Sequence, residues 1–594
     1  MYHRWTLTEP DNASVYGLSQ AINVSVPIAK ALVNRGINTF EEAKLFFRPS
    51  LENCYSPFLM TGMKEAATRL CDAIETGEQI MIYGDYDVDG TTGTSILYLY
   101  LKETGAKVSY YINDRHSEGY GVAISGLEEA CKRGATIVIS VDCGITAIEP
   151  AKFCKSKAVD FIVCDHHEPV KDETGEELLP DAFAILNPKQ KSCGYPFKEL
   201  CGCGVAFKLM QGISEMRKLE GSIAAAYLDL VAVAIAADIV KMNSENRILM
   251  AEGLKRINGH QDGNKHRAAG NGGNDENSIA RLGLRAMATE CGLDLQTASS
   301  ERIVFTVAPR INAAGRLGDA KRAIDLFTAT SEAEATTAAK ILEAENLERR
   351  AIDRENFIEA EKIAASQLAS RGRSSLVLYK PDWHQGVIGI VASRIVEKFY
   401  LPTVIFTDSG DNLKGSVRSV FGLNVHAALT MCKDLIVQFG GHAYAAGLTI
   451  EPKNLEVFRE AFDAACAAQL TEDLRVPALK IDAELELEHL TPNFLGVMRQ
   501  FAPFGPENWR PLFLTKGISM AFKPKLLKDQ HLKFAVRKPD GELIDAIGFN
   551  MLQHFKALEN GKAKVSLVYS VEENEWNGKT SLQLKLRDLK VDEN

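Results

Sequence analysis

The sequence predicts an α/β protein of several domains. Its first domain is expected to be a doubly wound parallel sheet, joined by a long helix to a second α/β domain and followed by a small β-barrel. A chain of 594 residues is too long for one hydrophobic core. Strand-like and helix-like segments alternate over residues 79–190, as in a doubly wound sheet. Residues 331–370 contain neither glycine nor proline, and residues 476–594 are rich in apolar runs typical of strands.

Each segment of the chain has its own pattern. Apolar residues near the N-terminus recur at the spacing of one helix face, which predicts short amphipathic helices. The Ala-, Glu- and Arg-rich run favours one long helix by propensity and by ion pairs between successive turns. A polar Gly- and Asn-rich stretch at 259–279 indicates a flexible surface insertion. The predicted order is a helical segment at 1–60, the first α/β domain at 61–330, the connecting helix at 331–370, the second α/β domain at 371–470 and the barrel at 476–594.

The composition is that of an ordinary globular protein, with 46% hydrophobic and 25% charged residues. The sequence has no apolar stretch of about 20 residues and no signal-peptide core at its start, so we expect a cytoplasmic protein. Its twelve cysteines are scattered and lack the paired spacing of a zinc site, which predicts free thiols. The net charge of −10 does not exclude nucleic acid, because affinity depends on local basic stripes.

The most informative motif is an alternating aspartate series between two glycines. Residues 84–90 read Gly-Asp-Tyr-Asp-Val-Asp-Gly, directly after the apolar run at 80–83. Carboxylates placed this closely repel one another unless a cation lies among them. The calcium loop of an EF-hand would need a glutamate at the twelfth position, where this chain has Ile96. The series therefore predicts a metal site of another kind.

Further ligand types follow other apolar segments. Asp142 follows one predicted strand, His166 and His167 follow the next, and Asp238 lies in the apolar run at 230–240. The carboxyl ends of parallel strands meet in one crevice, and Asp238 is expected to approach it from a helix. Each residue also has an ordinary explanation, such as a helix N-cap for Asp142. Together, carboxylates and imidazole suit Mn²⁺ or Mg²⁺ and are numerous enough to hold two ions.

With these motifs the chain resembles the DHH phosphoesterase superfamily. The resemblance rests on Asp-Tyr-Asp-Val-Asp-Gly, Val-Asp-Cys-Gly, Asp-His-His and a later buried aspartate. Segments 114–121, 309–316 and 439–442 resemble its branch of single-strand-specific 5′→3′ exonucleases, over nearly the whole chain. The resemblance implies an OB-like fold for the C-terminal barrel. It also implies metal-dependent hydrolysis of single-stranded DNA to mononucleotides in DNA repair and recombination.

The resemblance also implies roles for the acidic residues. Asp142 would bridge two ions, and Asp85 would be either a further ligand or an acceptor beside the ligands. His167 would meet the scissile phosphate or the leaving group, although which histidine is the ligand stays open. The implied catalytic residues are His167 and Asp142. The implied metal ligands are Asp85, Asp87, Asp89, Asp142, His166 and Asp238.

A second set of residues is expected to hold phosphates. The run at 414–419 offers amides, hydroxyls and a guanidinium, and the glycines at 440–441 permit close backbone approach. The resemblance implies that a 5′-terminal phosphate is read near Arg115. The expected substrate-binding residues are Arg115, Arg310, Arg316, Ser416, Arg418, Ser419 and His442.

Two alternatives remain at this point. The first is a relative acting on short oligonucleotides or cyclic dinucleotides, against which the extra N- and C-terminal regions argue. The second is a non-catalytic scaffold at the replication fork, against which the complete set of ligands argues, since an unused acidic cluster is costly to fold. We expect single-stranded DNA as partner, together with a helicase and a single-strand-binding protein, and a monomeric enzyme. The preference between Mn²⁺ and Mg²⁺ is left open.

Overall fold

The chain is described here from a computed structural model covering residues 3–115, 118–259, 280–370, 372–559, 561, 563–576 and 579–592. All of the predicted polar insertion except Gly259 lies outside the described residues. The twelve cysteines are all free thiols, as predicted. Among the described residues, no helix is both long and apolar enough to cross a lipid bilayer.

The N-terminal segment packs against the C-terminal end of the chain. Helix α3 begins at a capping box, in which Thr39 and Glu42 bond each other's backbone amides. Leu32 and Phe46 are buried together with Phe501 and Phe513 of the C-terminal domain. The elements are β1 (Arg4–Leu7), α1 (Asn12–Ile22), α2 (Val26–Val33) and α3 (Phe40–Phe47).

The first α/β domain is built on a parallel sheet whose inner strands are mostly apolar and almost wholly buried. Five parallel strands are ordered β3-β2-β4-β5-β8, with α6 and α7 on one face and α4, α5 and α8 on the other. The elements are α4 (Met63–Thr76), β2 (Gln79–Gly84), α5 (Val88–Glu103), β3 (Lys107–Ile112), α6 (Ile124–Lys132), β4 (Ile137–Val141), α7 (Ile148–Ser156), β5 (Asp160–Cys164), β6 (Val170–Lys171), β7 (Glu177–Leu178), β8 (Ala184–Leu186) and α8 (Gly202–Met216).

A helical layer completes this domain and leads into the long helix. Helix α10 is apolar on all sides and is buried along its length. The elements are α9 (Gly221–Ala225), α10 (Leu228–Ala237), α11 (Ser244–Ile257), α12 (Leu282–Cys291), α13 (Ser300–Leu317), α14 (Lys321–Thr328) and α15 (Glu332–Ser370). Helix α15 has 39 residues, and at 1.5 Å per residue it is about 58 Å long. It contacts α12, α13 and α14 on one side of the molecule and the second α/β domain on the other.

The second α/β domain contains a five-stranded mixed sheet with the order β12-β13-β11-β10-β9. Helix α16 covers one face of this sheet, and α17 and α18 cover the other. The elements are β9 (Leu376–Tyr379), α16 (Ile388–Phe399), β10 (Thr403–Ser409), β11 (Asn412–Arg418), α17 (Val425–Met431), β12 (Gln438–Gly441), β13 (Ala445–Ile450) and α18 (Leu455–Gln469).

The C-terminal domain is a seven-stranded sheet of order β15-β16-β20-β21-β19-β18-β17. A β-bridge between Met520 and Val536 brings the end of β16 against β18, which curls the sheet towards a barrel. The elements are β14 (Ala478–Ile481), β15 (Ala483–Glu484), α19 (Pro492–Arg499), β16 (Phe513–Ser519), β17 (Lys525–Leu527), β18 (His531–Arg537), β19 (Leu543–Gly548), α20 (Leu552–Leu558), β20 (Lys564–Trp576) and β21 (Lys579–Val591).

A buried arginine joins the first domain to both ends of the chain. Arg247 of α11 donates to the carbonyl oxygen of Phe46 and to those of residues 500–503, over 2.9–3.2 Å. Its guanidinium also lies 3.8 Å from the ring centroid of Phe46. Burial, with the nearby charge of Arg35, lowers the pKa of Arg247 to about 9, so the side chain remains charged at neutral pH.

We predict that Arg247→Met destabilises the junction between the first and C-terminal domains. Methionine fills a similar volume but leaves several buried carbonyl groups without a donor, at roughly 1–3 kcal/mol each. A fall in thermal midpoint, with faster proteolysis near residue 500, is the expected result. Lys255→Met on the same helix removes a half-exposed cation and is the matched control. Equal midpoints for the two variants would contradict the role given to Arg247.

Candidate metal centre and phosphate-binding cleft

The strand ends carry the acidic residues to one edge of the sheet. Asp85 follows β2, Asp142 follows β4 and Asp165 follows β5, and the sheet order changes direction at β2. In α/β sheets this switch point opens a crevice beyond the carboxyl ends of the strands. Asp142 has a φ of 61°, in the left-handed region that aspartate tolerates better than most residues.

Helix ends bring in the remaining ligands. Asp87 is the N-cap of α5, where its side chain accepts from the Gly90 amide over 3.1 Å, and Asp89 lies in the first turn. Asp238 follows α10 as its C-cap residue. The sequence prediction that Asp238 approaches the crevice from a helix agrees with this position.

The side chains meet around His166. Its Nε2 lies 3.2 Å from Asp142 Oδ1, 3.6 Å from Asp238 Oδ2 and 3.7 Å from Asp89 Oδ2. Among the described residues, three groups of ligand atoms result, each with all of its atoms within 4.8 Å of one another. The groups are Asp89, His166 and Asp238; Asp85, Asp87 and Asp142; and Asp142, His166 and His167.

Orphaned atoms show that this chemistry fits divalent cations. The inward atoms Asp142 Oδ1, His166 Nε2 and Asp238 Oδ2 are buried, and none has a hydrogen-bond partner among the described residues. Buried polar atoms are rarely left unpaired, and oxygen and imidazole nitrogen are the donors that Mn²⁺ accepts. The adjacent groups offer positions for two ions.

The electrostatics of the centre favour the binding of cations. Burial and the neighbouring Asp87 raise the pKa of Asp85 to about 8 and that of Asp89 to about 6. Burial and adjacent carboxylates raise the pKa values of Asp142 and Asp238 well above their usual range. Burial, with the charge of His167, lowers the pKa of His166 to about 3, so its imidazole is neutral and able to bind metal.

One functional residue was not assigned from the sequence, although it is the first residue of the Asp-His-His motif. Asp165 accepts from the amide of Ile145 over 2.9 Å and from that of His166 over 2.7 Å. It also lies 2.7 Å from Nδ1 of His167. Burial alone would raise the pKa of Asp165, but His167 and these amides hold it well below the usual range. The carboxylate therefore fixes the imidazole of His167.

Two other polar neighbours were also missed. Asn113 donates from Nδ2 to Asp85 Oδ1 over 3.2 Å. The hydroxyl of Tyr120 lies 3.1 Å from the ring nitrogens of His167, which itself lies 3.9 Å from Asp142. Tyr120 lies within the segment 114–121 that resembles the exonuclease branch, and Asn113 directly precedes that segment. His166 faces the ligands and His167 lies at the rim, which favours His166 as the metal ligand.

Arginines from both domains gather beside the metal loop. The guanidinium of Arg115 lies 5.1 Å from the ring centroid of Tyr86, which stands between Asp85 and Asp87. Arg316 donates from Nη1 to the carbonyl oxygen of Gly386 over 2.9 Å, linking α13 to the turn before α16.

The closeness of these cations contributes to lowered pKa values for two of them. Burial, with the positive charges of Arg115, Arg349 and Arg418, lowers the pKa of Arg316 to about 10. Burial and Arg115 likewise lower the pKa of Arg418. Such a concentration of guanidinium groups next to carboxylates that would hold cations suits a phosphate.

The β11 strand adds the remaining elements of an anion site. Ser416 and Arg418 share one face of the strand, where Arg418 Nη1 lies 3.1 Å from Ser416 Oγ. The start of α16 approaches them closely, since a Cβ added at Gly389 would lie 2.9 Å from both side chains. Helix N-termini bind anions through unpaired amides. Gly447 pairs with Ser416 on the neighbouring strand, and Gly440 pairs with Gly447 on the next. Both glycines are exposed, so no side chain covers the backbone beside Ser416.

The other predicted phosphate contacts lie in three different settings. His442 lies at the exposed turn between β12 and β13, where burial and the charge of His167 lower its pKa. The hydroxyl of Ser419 donates to the carbonyl of Leu423 over 2.7 Å, within its own loop. The prediction that Arg310 grips DNA is corrected, because its guanidinium is buried in an ion pair with Glu343 of α15.

Comparisons with known proteins agree with this architecture. Family profiles match in three places: the DHH family N-terminal domain at residues 79–235, the DHHA1 domain at 372–468 and the RecJ OB domain at 481–588. The single-stranded-DNA-specific exonuclease RecJ of Bacillus subtilis is 35% identical over 99% of this chain and 71% of its own length.

Solved structures give the same result. The crystal structure of RecJ from Thermus thermophilus in complex with Mn²⁺ has a TM-score of 0.81 and 28% identity. The match covers 100% of this chain and 80% of that one. The same protein in complex with Mg²⁺ has a TM-score of 0.74 and 27% identity, with 100% and 79% covered. The predicted fold class, including the OB domain, is confirmed.

We predict that metal-free protein loses stability as the pH rises from about 4 towards 8. The folded pKa values of Asp85 and Asp89, about 8 and about 6, exceed the unfolded value of 3.8. Between these pKa values the carboxyl groups are ionised in the unfolded chain but protonated in the folded centre. Each such group therefore lowers the free energy of unfolding by about 1.4 kcal/mol per pH unit. Asp142→Asn removes one of the repelling charges. In EDTA, its thermal midpoint should therefore exceed that of wild type by an amount that grows with pH.

Thermal melts from pH 5 to 8 measure this effect. Mn²⁺ is expected to raise the wild-type midpoint at neutral pH and to have little effect on Asp142→Asn, which lacks a ligand. Ser140→Ala, two residues before the ligand and uncharged, is the control. Identical pH profiles for wild type and Asp142→Asn in EDTA would refute the repulsion among the carboxylates.

Proposed function

Because this chain belongs to the RecJ family of DHH phosphoesterases, we propose that it is a metal-dependent exonuclease that hydrolyses single-stranded DNA 5′→3′ to mononucleotides. The observation that carries the proposal is the pairing of a two-ion centre with an arginine-lined anion site directly beside it. Mn²⁺ or Mg²⁺ serves as cofactor, and DNA repair and recombination are the processes that need such an activity. The exonuclease branch predicted from motifs 114–121, 309–316 and 439–442 is confirmed by the relatives.

The metal ligands would serve two ions. The Asp85 group and the Asp89 group would each hold one ion, and the 3.2 Å approach of Asp142 to His166 supports a bridging role for Asp142. A bound pair of divalent ions activates water and stabilises the charge that develops on the leaving oxygen. The carboxylates are then neutralised, so an anionic phosphate can approach them.

His167 is suited to hold a proton at the rim of the centre. Burial alone would lower its pKa, but the Asp165 carboxylate outweighs burial and raises the pKa. With Nδ1 turned to Asp165, its second nitrogen is available to the 3′ oxygen that leaves when a 5′-mononucleotide is released. Asp165 then acts by orienting the imidazole, as a carboxylate does for histidine in other enzymes.

The anion site explains why cleavage would begin at an end. Arg115, Arg316, Arg418 and Ser416 would bind a 5′-terminal phosphate together with the start of α16. Because Tyr86 contacts Arg115 and connects two metal ligands, the terminal phosphate would sit next to the centre. The bound end therefore selects the first phosphodiester of the strand.

The remaining features favour this function over the alternatives. A non-catalytic scaffold would not need Asp89, His166 and Asp238 to converge with unpaired inward atoms. A small-substrate enzyme would not need the C-terminal sheet that matches the RecJ OB domain, a fold suited to tracking a single strand.

Its setting is part of the same proposal. The enzyme would act in the cytoplasm on strands supplied by a helicase and a single-strand-binding protein, because a nuclease specific for single strands depends on unwinding. A monomer suffices, since one chain contributes every group of the centre.

A labelled time course tests the polarity. On a long single-stranded oligonucleotide with Mn²⁺, a 5′ label should be released at once as mononucleotide, while a 3′ label remains on a progressively shortening strand. The duplex of the same sequence is the control and should be degraded far more slowly. Early release of the 3′ label, or turnover of dinucleotides alone, would reject the proposal.

Recognition of the terminal phosphate is tested by Arg418→Gln. A charge-assisted hydrogen bond to phosphate contributes about 1.5–3 kcal/mol, so KM for a 5′-phosphorylated strand should rise about 10- to 100-fold. KM for a 5′-hydroxyl strand should change little, because that strand has no terminal phosphate for Arg418 to bind. Arg475→Gln, at a half-exposed arginine beyond α18, is the control. Equal losses on both strands would place Arg418 elsewhere on the DNA path.

A further inference from the structure

We propose that residues 201–203, where helix α8 begins, position the metal ligands and set the spacing between the two ions. The inference rests on the proposed two-metal function and assigns a role to a segment that contributes no ligand to any of the groups. Two ligands from two different elements, Asp89 and Asp142, contact this one segment.

The first contact is to Asp89. Its Oδ2 accepts from the amide of Gly202 over 2.5 Å, and its Oδ1 accepts from the amide of Cys203 over 2.9 Å. Both amides lie in the first turn of α8, where no helical carbonyl is available to them and the helix dipole is positive. The start of the helix thus holds both oxygens of a buried carboxylate and fixes the direction in which it faces an ion.

The second contact is to Asp142, and only a glycine permits it. A Cβ added at Gly202 would lie 2.6 Å from Asp142 Cβ and 2.8 Å from Asp142 Oδ1. Such distances require the backbone or the ligand to shift. The absence of a side chain at Gly202 therefore allows Asp142 to stand between the two ligand groups.

Packing makes the segment rigid enough for this role. Helix α8 contacts α5, which carries Asp89, and the two backbones touch where Gly93 faces Cys203. The N-cap residue Cys201 accepts from the amide of Gly204 through Sγ over 3.3 Å. A displacement at the start of α8 is therefore transmitted to the ligands instead of being absorbed by a loop.

The test compares Gly202→Ala with Gly204→Ala. Both changes add one methyl group to the first turn of the same helix. A Cβ at Gly204 meets its nearest atoms at 3.5–3.6 Å, which is ordinary contact, and that variant is the matched control. We expect Gly202→Ala to bind Mn²⁺ about 10- to 100-fold more weakly, as when a partner of a metal ligand is lost. Gly204→Ala should retain the wild-type affinity.

Two readouts separate positioning from general stability. Titration with Mn²⁺ gives affinity and stoichiometry, and electron paramagnetic resonance shows whether two ions are magnetically coupled. Thermal melts in EDTA report the fold alone. Wild-type protein should show a coupled pair, and Gly202→Ala should show uncoupled or single ions with little change in the EDTA midpoint. Unchanged affinity and coupling in a folded Gly202→Ala would overturn the inference.

A second pair of variants decides the matter if Gly202→Ala does not fold. Cys201→Ala removes the N-cap and the thiol next to Asp89, whereas Cys201→Ser replaces both with a stronger cap. Weaker Mn²⁺ binding in the alanine variant, restored in the serine variant, supports positioning. Equal affinities of Cys201→Ala and Cys201→Ser for Mn²⁺ would overturn the inference. If wild-type protein binds fewer than two ions, the proposed function fails first.

Discussion

Mutual repulsion among buried carboxylates is the constraint on which the surrounding structure depends. The strand and helix ends bring Asp85, Asp89, Asp142 and Asp238 together, and burial with the neighbouring carboxylate charges raises their pKa values. The outer carboxylate, Asp165, is treated in the opposite way and is fully bonded by amides and an imidazole. Hydrogen bonds are thus directed to the periphery, and the inward oxygens remain available to cations.

The cations of the cleft form the counterpart of this cluster. Burial and neighbouring guanidinium groups lower the pKa values of Arg316 and Arg418, and such a concentration of cations suits an anion-binding function. A net charge of −10 therefore says little about affinity for DNA. Tyr86 lies at the boundary, in contact with Arg115 and between two acidic ligands. A phosphodiester bound here meets positive charge on one side and metal-holding carboxylates on the other.

Much of this arrangement was accessible from sequence, because strand-end aspartates follow apolar runs and parallel strands share an edge. The ligands Asp87, Asp142 and His166 could be named in this way. Contacts between residues that are distant in the sequence could not be named. The ion pair of Arg310 depends on Glu343, which lies on another helix, so a motif alone gave it a DNA contact. Nothing in the sequence near Gly202 indicates that Asp142 is its neighbour.

We infer that selectivity for single strands would follow from a cleft held at fixed width. Helix α15 packs against the first domain through α12–α14 and against the second through α16 and β9, and it contains no glycine or proline at which to bend. The bond from Arg316 to Gly386 closes the same gap near the centre.

The C-terminal domain is fixed in the same way. Arg247 holds residues 500–503, and the amide of Met242, four residues after Asp238, donates to Pro506 over 2.7 Å. The strand-tracking domain is thereby anchored next to a metal ligand. A rigid frame of this kind does not need to close around its substrate. Such a frame would admit a flexible strand that can thread to the anion site, and it would exclude a duplex, whose stiffness and width would keep its end from the metal centre.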